Sequence, residues 1–153
     1  MSTTFTGPVR IGTRQTTSND GTISTSNYGA VVCSRQATIT GGAAATIVIP
    51  AGSIIHNIDA YLNVVGAASR AVSITVNGVT TSLGTITTTA LGKIATTFTA
   101  TAAVTNLLAN VGAYDATITL ASEAASAGAL SVVYTDRNAD GTITPTGEGY
   151  TNN

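Results

Sequence analysis

Residues that carry chemistry are scarce in this chain of 153 residues, which has one cysteine, one histidine, one lysine and no tryptophan. A lone cysteine, Cys33, excludes an intrachain disulfide, and one histidine with one cysteine cannot complete a zinc site within a single chain. The start, MSTTFTGPVR, has neither the basic nor the apolar segment of a secretory signal peptide. We therefore expect synthesis in a reducing cytoplasm, unless a leader was removed.

Charge is scarce as well. Charged residues make up 8% of the chain and the net charge is −1, whereas about 25% is typical of soluble proteins. The basic residues form no run, which argues against a nucleic-acid partner, because phosphates are neutralised by many Lys or Arg side chains. No apolar run reaches the roughly 18 residues of a membrane helix. The sequence thus predicts neither nucleic acid nor membrane as a partner.

The shortage of lysine bears on assembly. Soluble β-proteins protect the edges of their sheets with lysine and other charges, and Lys93 is the only lysine here. Either edges and faces are buried between subunits, or the many Thr, Ser and Asn side chains keep the surface hydrated. We favour burial in an assembly.

The rest of the composition favours strands. Threonine accounts for 30 of the 153 residues, and Thr, Val and Ile fit the pleated surface of a sheet. Short β-rich segments recur at roughly 8–12-residue spacing, which is typical of an all-β sandwich. The predicted strands are residues 30–40, 45–50, 53–65, 71–78, 79–84, 85–92, 93–100, 114–121 and 129–136. We predict an all-β, antiparallel β-sandwich that is jelly-roll-like.

Two glycine turns and one helix complete this fold prediction. Gly41-Gly42 favours a hairpin between the first two strands, and Asn77-Gly78 predicts a tight hairpin between residues 71–78 and 79–84. Residues 101–112 break the strand period, because apolar side chains recur at i, i+3, i+4 and i+7. They predict one short helix, capped by Thr101, that closes one end of the sandwich.

Composition divides the chain into three parts. Residues 1–28 are rich in Thr, Ser, Gly and Asn and predict an extended N-terminal arm, with a short strand at 8–14 and a flexible loop at 16–27. A disordered terminus is the alternative to an arm in the isolated protein. Residues 29–136 form the sandwich domain, and residues 137–153 form a flexible C-terminal tail.

The only histidine, His56, is the first candidate for catalysis. In an extended strand it shares the apolar face with Ile54 and Ile58, whereas Asp59 lies on the other face, so a His–Asp dyad requires a β-bulge. No sequence motif nominates a nucleophile for this histidine. We expect His56 at the rim of the core or in a subunit contact, and we predict no catalytic residue and no enzyme.

A calcium site is the second candidate. Asp136, Asn138 and Asp140 have the spacing of the first half of an EF-hand loop. The closing glutamate, Glu148, comes one position late, however, and no predicted helices flank the segment. The residues favour a turn and a flexible tail, so we predict no metal and no cofactor.

Three further side chains have simple interpretations. Cys33 lies in the apolar run AVVCS and is expected to be a small buried residue rather than a reactive thiol. Arg10 and Arg14 fall on one face of the predicted N-terminal strand. They can contact an acidic partner, or they are solvated charges.

Three stretches give the chain a family resemblance: FTGPVRIGTRQT (5–16), ATITGGAAATIVIPAGSIIHNIDAYLNVV (37–65) and TAAVTNLLANVGAYDATITLA (101–121). In this order they resemble small β-sandwich structural proteins of tailed bacteriophages, especially capsid decoration or cement proteins. The IPAGS segment and the NVG after the predicted helix are the most specific parts. The resemblance covers most of residues 5–135 and leaves out the C-terminal tail.

This resemblance implies a structural virion protein that binds the outside of the major capsid protein shell and stabilises it. The protein would be made in the host cytoplasm and located on the capsid surface in many copies. Its partners would be the major capsid protein and neighbouring copies, as a homo-oligomer, with Arg10 and Arg14 as candidate capsid contacts. The alternative is a tail or head-fibre module that binds a host-surface glycan.

Overall fold

A computed structural model describes residues 13–17, 23–27 and 32–136 of the chain. The described strands are β1 (Thr13–Thr17), β2 (Ile23–Asn27), β3 (Val32–Ile39), β4 (Ala45–Ile49), β5 (Ile54–Val64), β6 (Ser69–Val76), β7 (Val79–Thr87), β8 (Gly92–Ala95), β9 (Thr97–Phe98), β10 (Ala116–Leu120) and β11 (Ala127–Thr135). The helix α1 (Ala102–Ala109) lies between β9 and β10.

Nine of these strands form two antiparallel sheets, with the strand orders β4-β10-β6-β7-β9 and β3-β11-β5-β8. The predicted all-β sandwich with one short helix is therefore confirmed. Four pairings are nested along the chain, namely β3 with β11, β4 with β10, β5 with β8, and β6 with β7. This nesting favours the jelly-roll form of the sandwich, which stays a prediction, as do the boundaries of arm, domain and tail.

The N-terminal region differs in detail from its prediction. Strands β1 and β2 pair with each other as a separate two-stranded antiparallel sheet, with Thr13 opposite Asn27 and Thr17 opposite Ile23. The loop predicted over residues 16–27 was wrong at residues 16–17 and 23–27, which belong to β1 and β2. The Thr and Ser residues that suggested a loop also suit a strand, because their side chains fit a pleated surface.

The core lies between the two sheets. Along β4 and β10, buried residues alternate with residues that are exposed or half-buried, as the two-residue period of a strand requires. Ile58, Ile74, Ile118, Leu130 and Val132 have no exposed surface. Burial of each such side chain contributes about 1.5–3 kcal/mol, so apolar packing holds the two sheets together.

Of the two glycine turns, one behaves as predicted. Asn77 and Gly78 have φ values of 47° and 77°, and Val76 pairs with Val79 across the turn. This is the backbone of a tight two-residue hairpin. The hairpin predicted at Gly41-Gly42 was wrong, because β3 and β4 lie in different sheets. There the Gly42 N–H donates to the Glu123 carbonyl at 2.6 Å, and the turn carries the chain from one sheet to the other.

A second crossing divides the strand predicted at residues 93–100. Its first half is β8 in the four-stranded sheet, and its second half is β9 in the five-stranded sheet. Between them Thr96 is buried, and both its N–H and its hydroxyl donate to the Ile58 carbonyl, at 3.0 and 2.7 Å. These two hydrogen bonds satisfy the backbone where the chain leaves one sheet for the other.

The predicted helix is confirmed. Thr101 is its N-cap, and the Thr101 hydroxyl accepts a hydrogen bond from the Val104 N–H at 3.3 Å. Val104 and Val111, two residues of the predicted apolar stripe, are buried. Gly112 follows with a φ of 91°, a left-handed value that favours glycine.

One buried cation, Arg70 on β6, joins three segments at one end of the sandwich. Its side chain is 2% exposed. Its guanidinium donates to the Ala121 carbonyl through Nε, to Ser126 Oγ at 2.9 Å and to the Ala43 carbonyl at 2.9 Å. Burial lowers the pKa of Arg70, while the charge of Glu123 raises it. The planar fork of arginine suits such a set of acceptors, whereas a lysine ammonium does not.

Glu123 holds the neighbouring loop. Its carboxylate accepts hydrogen bonds from the Ala67 and Ala68 N–H groups, at 2.5 and 2.9 Å, and from the Thr88 hydroxyl at 2.8 Å. Partial burial alone would raise the pKa of Glu123, but hydrogen bonds from Thr88, Ala68, Ser126 and Ala67 lower it to about 2. The charged form of this side chain is therefore specifically bound in the folded protein.

This arrangement predicts acid sensitivity at Glu123. Because its pKa is lower in the folded state than in the unfolded state, its contribution is present above about pH 4.5 and is lost as the pH falls towards 2. With solvent screening of a partly exposed group, we expect Glu123→Gln to cost about 1–2 kcal/mol at pH 7 and much less at pH 2.5. Urea unfolding of both proteins at the two pH values measures this difference.

Asp115→Asn is the matched control, because this carboxylate is exposed and accepts a hydrogen bond from the Ala51 N–H at 3.0 Å. We expect a loss below 1 kcal/mol for this exposed group at pH 7. An equal loss for the two variants, or a Glu123→Gln loss that is the same at both pH values, would contradict the role given to Glu123.

Candidate interaction surface

The structure places His56 outside the core. β5 pairs with β11 up to Asn57 opposite Val133, and the next pair is Ile55 opposite Tyr134, so His56 is skipped at a β-bulge. The bulge reverses the alternation, so that Ile55 is 5% exposed and His56 is exposed. The prediction that His56 points toward the core was therefore wrong, because the regular period of a strand was assumed across the bulge.

The bulge does not create a His–Asp dyad. His56 Nε2 and Thr135 Oγ1 share a hydrogen bond of 2.6 Å. The Asp59 carboxylate instead accepts a hydrogen bond from Asn57 and forms an ion pair with Lys93, whose Nζ lies 3.1 Å from Oδ2. The candidate base and the candidate acid of a dyad thus have different partners.

Asn57, Asp59 and Lys93 form a polar group, the Asp59 cluster, on the outer face of the four-stranded sheet. Ile58 and Ala60, the neighbours of Asp59 along β5, face the core, so Asp59 points to the outer face. Asp59 is nevertheless only 2% exposed. The hydrogen bond and the charge of Asp59 both raise the pKa of Lys93. Asp59 Oδ1 is buried and has no hydrogen-bond partner in the structure, so this carboxylate is held chiefly through its other oxygen.

The metal candidates are placed only in part. Asp136 follows β11 and is 2% exposed, whereas Asn138 and Asp140 lie outside the described residues. Within the described residues no group of three or more His, Cys, Asp or Glu side chains could hold a metal ion. Cys33 on β3 is partly buried and packs against the core.

The candidate capsid contacts lie near the start of the chain. Arg14 is part of β1, opposite Ser26 of β2, and Arg10 lies outside the described residues. Their role as contacts stays a prediction.

An open groove of about 570 Å³ crosses the end of the four-stranded sheet. Tyr61, Asn63 and Thr38 are among the residues that line it, together with Gly92 and Gly128. Tyr61 is 43% exposed and pairs with Lys93 of the Asp59 cluster. The groove therefore combines an accessible aromatic ring with amide and hydroxyl groups.

The outer face of the five-stranded sheet is different, because its described side chains are uncharged. We call it the threonine face. It consists of Thr46, Val48, Ala71, Ser73, Thr75, Thr80, Ser82, Thr85, Thr117 and Thr119. Thr119 lies opposite Thr46 and Ser73, and Ser73 lies opposite Ser82, which makes a row of hydroxyls across four strands. Such a surface can contact a partner without desolvating a charge.

Sequence reasoning found the strands that carry these surfaces but not the surfaces themselves. Thr117 and Thr119 were visible as the polar positions of an alternating strand, and Tyr61 as the aromatic residue of β5. That Tyr61 meets Lys93, or that Thr119 meets Ser73, depends on which strands pair. No local pattern encodes that choice.

Comparisons with protein families, with characterised proteins and with solved structures gave no match to this chain. Among the helices in the described part of the chain, none is long and apolar enough to cross a membrane.

Proposed function

We propose that this protein is a structural virion protein that binds the outside of the major capsid protein shell and stabilises it. The observation that carries the proposal is the threonine face, a sheet surface whose described side chains are all uncharged. The resemblance of residues 5–16, 37–65 and 101–121 to capsid decoration proteins supports the same function. The role is mechanical: the protein bridges neighbouring capsid subunits and buries surface across their joints.

Charged side chains are costly to bury in an interface. An ion moved from water into a contact loses several kcal/mol of hydration unless a partner replaces it. Hydroxyl groups are less costly, and the Thr75 and Thr80 hydroxyls already satisfy each other at 2.8 Å. A stable interface buries about 800 Å² per partner, and the threonine face extends over four neighbouring strands of one sheet.

A charge placed on the threonine face tests the proposal. Thr119→Lys puts an ammonium at the centre of the face, and we expect capsid occupancy to fall at least tenfold, because roughly 1.4 kcal/mol of lost affinity is tenfold. Thr105→Lys, on an exposed position of α1, is the control and should bind as the parent does. The measurement is the number of copies bound to capsid shells stripped of this protein, with the fold checked by circular dichroism.

The same measurement tests the predicted arm. Deletion of residues 1–15 removes most of β1 and with it the β1-β2 pair. We expect the two sheets of the sandwich to remain folded, with an unchanged unfolding transition, but occupancy to weaken, because an arm can add main-chain hydrogen bonds to a neighbour. Parent-like occupancy for Thr119→Lys and for the deletion would contradict the proposal at both surfaces.

The groove supports a second candidate, a tail or head-fibre module that binds a host-surface glycan. The observation is the exposed Tyr61 ring beside Asn63 and Thr38, since a sugar ring offers an apolar face to an aromatic ring and hydroxyls to amides. Tyr61→Ala separates the two functions. It would abolish adsorption to host-cell glycan, whereas occupancy on the capsid would be unchanged.

A further inference from the structure

The side chains of the threonine face are arranged as a grid. Beside the row of hydroxyls through Thr119 runs a second row, Val48, Thr117, Thr75 and Thr80, in which each residue lies opposite the next. Residues two apart on a strand are roughly 6.4–6.8 Å apart, and neighbouring strands are about 4.8 Å apart. Val48 and Thr80 are exposed, and Thr117 and Thr75 are half-buried. The grid therefore presents short side chains, with methyl and hydroxyl groups held close to the backbone.

The hydroxyls of this face can satisfy one another. Thr75 and Thr80 share a hydrogen bond of 2.8 Å, and Ser69 and Thr87, further along the same two strands, share one of 3.3 Å. A hydroxyl both donates and accepts, so such pairs keep their hydrogen bonds when water is removed from the face. A partner that covers the grid therefore need not supply a carboxylate or an ammonium group.

The charged pairs of the sandwich lie outside the grid. Asp59 and Lys93 pair with each other on the outer face of the other sheet, and Arg70 and Glu123 lie together at one end of the sandwich. Arg35 donates to a carbonyl of β4, at the margin of the threonine face. A partner charge pressed onto the centre of the grid would lose its hydration with no opposite charge to replace it.

We propose that the surface bound by the threonine face is itself uncharged: a patch of the major capsid protein made of short apolar and hydroxyl-bearing side chains, with charge confined to the rim of the contact. This inference rests on the proposed function and adds the chemistry of the partner to it. Depletion of charge at the centre and a polar rim are usual in protein interfaces. A contact of this kind depends little on salt, because salt screens interactions between charges.

Charges of both signs at one position test the chemistry of the partner. We expect Thr119→Lys and Thr119→Glu to lower capsid occupancy by the same factor, at least about tenfold each, because an uncharged partner replaces the hydration of neither ion. An acidic patch would instead favour the lysine variant over the glutamate variant, and a basic patch the reverse. Thr105→Lys and Thr105→Glu, on an exposed position of α1, are the matched controls and should bind as the parent does.

The salt dependence of the unmodified protein gives a readout that needs no variant. We expect the number of copies bound to stripped capsid shells to change less than about twofold between about 0.05 and 0.5 M NaCl, although the Debye length falls about threefold in this range. Loss of binding at high salt, or losses for the two Thr119 variants that differ by more than about fivefold, would overturn the uncharged contact while leaving the proposed function in place. Unmodified protein that binds the shells at no salt concentration would refute the proposed function, and this inference with it.

Discussion

Arg70→Ala is expected to destabilise the sandwich by about 3–5 kcal/mol, a large part of the stability of a domain of this size. The substitution removes the guanidinium, which donates hydrogen bonds to Ser126 Oγ and to the Ala121 and Ala43 carbonyls. It also leaves the Glu123 carboxylate without its neighbouring charge. Ser126 is fully buried, so its hydroxyl cannot turn to water, whereas the Ala121 and Ala43 carbonyls are only partly buried. A buried acceptor that loses its donor adds a penalty of about 1–3 kcal/mol unless the site opens.

Two variants separate the causes of this loss. Arg70→Met keeps most of the volume but none of the donors, and we expect it to be nearly as harmful as Arg70→Ala, because unsatisfied acceptors dominate. Arg35→Ala is the control, because Arg35 is an exposed arginine on β3 that donates to the Val48 carbonyl, and it should cost less than about 1 kcal/mol. Thermal and urea unfolding measure all three. Similar losses for Arg70→Ala and Arg35→Ala would contradict this account.

Arg70 also shows where sequence reasoning ends. An arginine in the alternating segment around residues 71–78 gives no sign that it is buried. Its partners Ala43, Ala121 and Ser126 are 27 to 56 residues away along the chain. Ala43 and Ala121 reach Arg70 because β4, β10 and β6 are neighbours in one sheet, and Ser126 lies just before β11 of the other sheet. Contacts of this kind follow from strand order, and alternation does not specify strand order.

What the sequence does specify is local. The Asn77-Gly78 turn and the Thr101 cap were predictable because each depends on the conformational preference of one or two residues. The sheet to which a strand belongs was not, and the Gly41-Gly42 turn was therefore assigned to a hairpin. The same limit affected His56, since a β-bulge is defined by its partner strand, and β11 lies more than 70 residues further along the chain.

This limit bears on the candidate surfaces as well. Alternation along a strand separates its polar from its apolar side chains, so the polarity of each face can be read from the sequence. The groove beside Tyr61 results from pairing, because it lies where β5 meets β11. The chemistry of a surface can thus be read from the residues, but its extent and shape come from topology.

The second large effect is expected at Gly128, where β11 passes close to β5. The backbone there has a φ of +155°, and a Cβ added to Gly128 would lie 2.0 Å from the Tyr61 carbonyl oxygen and 2.9 Å from the Leu62 Cα. Both are backbone atoms, so no side chain can move aside. The register of β11 against β5 shifts between Ala127 and Gly128, which marks a second β-bulge. We expect Gly128→Ala to separate β11 from β5 there and to cost more than about 3 kcal/mol, at the upper end for point substitutions.

Gly92→Ala provides the matched control, because Gly92 lines the same groove and also has a positive φ, +92°, but a Cβ there meets nothing within 4 Å. Its cost should be that of the backbone conformation alone, about 1–2 kcal/mol. Urea unfolding compares the free energies of unfolding of the two variants. The soluble fraction of each variant is recorded as well, because Gly128→Ala is the one expected to fold poorly. Because Tyr61 lies at the point of contact, Gly128→Ala should also alter the groove, which is seen as a shift of the Tyr61 ring resonances in NMR spectra that Gly92→Ala does not produce. Equal stability of the two variants would mean that β5 and β11 can move apart freely, and that the groove is not fixed by the close approach at Gly128.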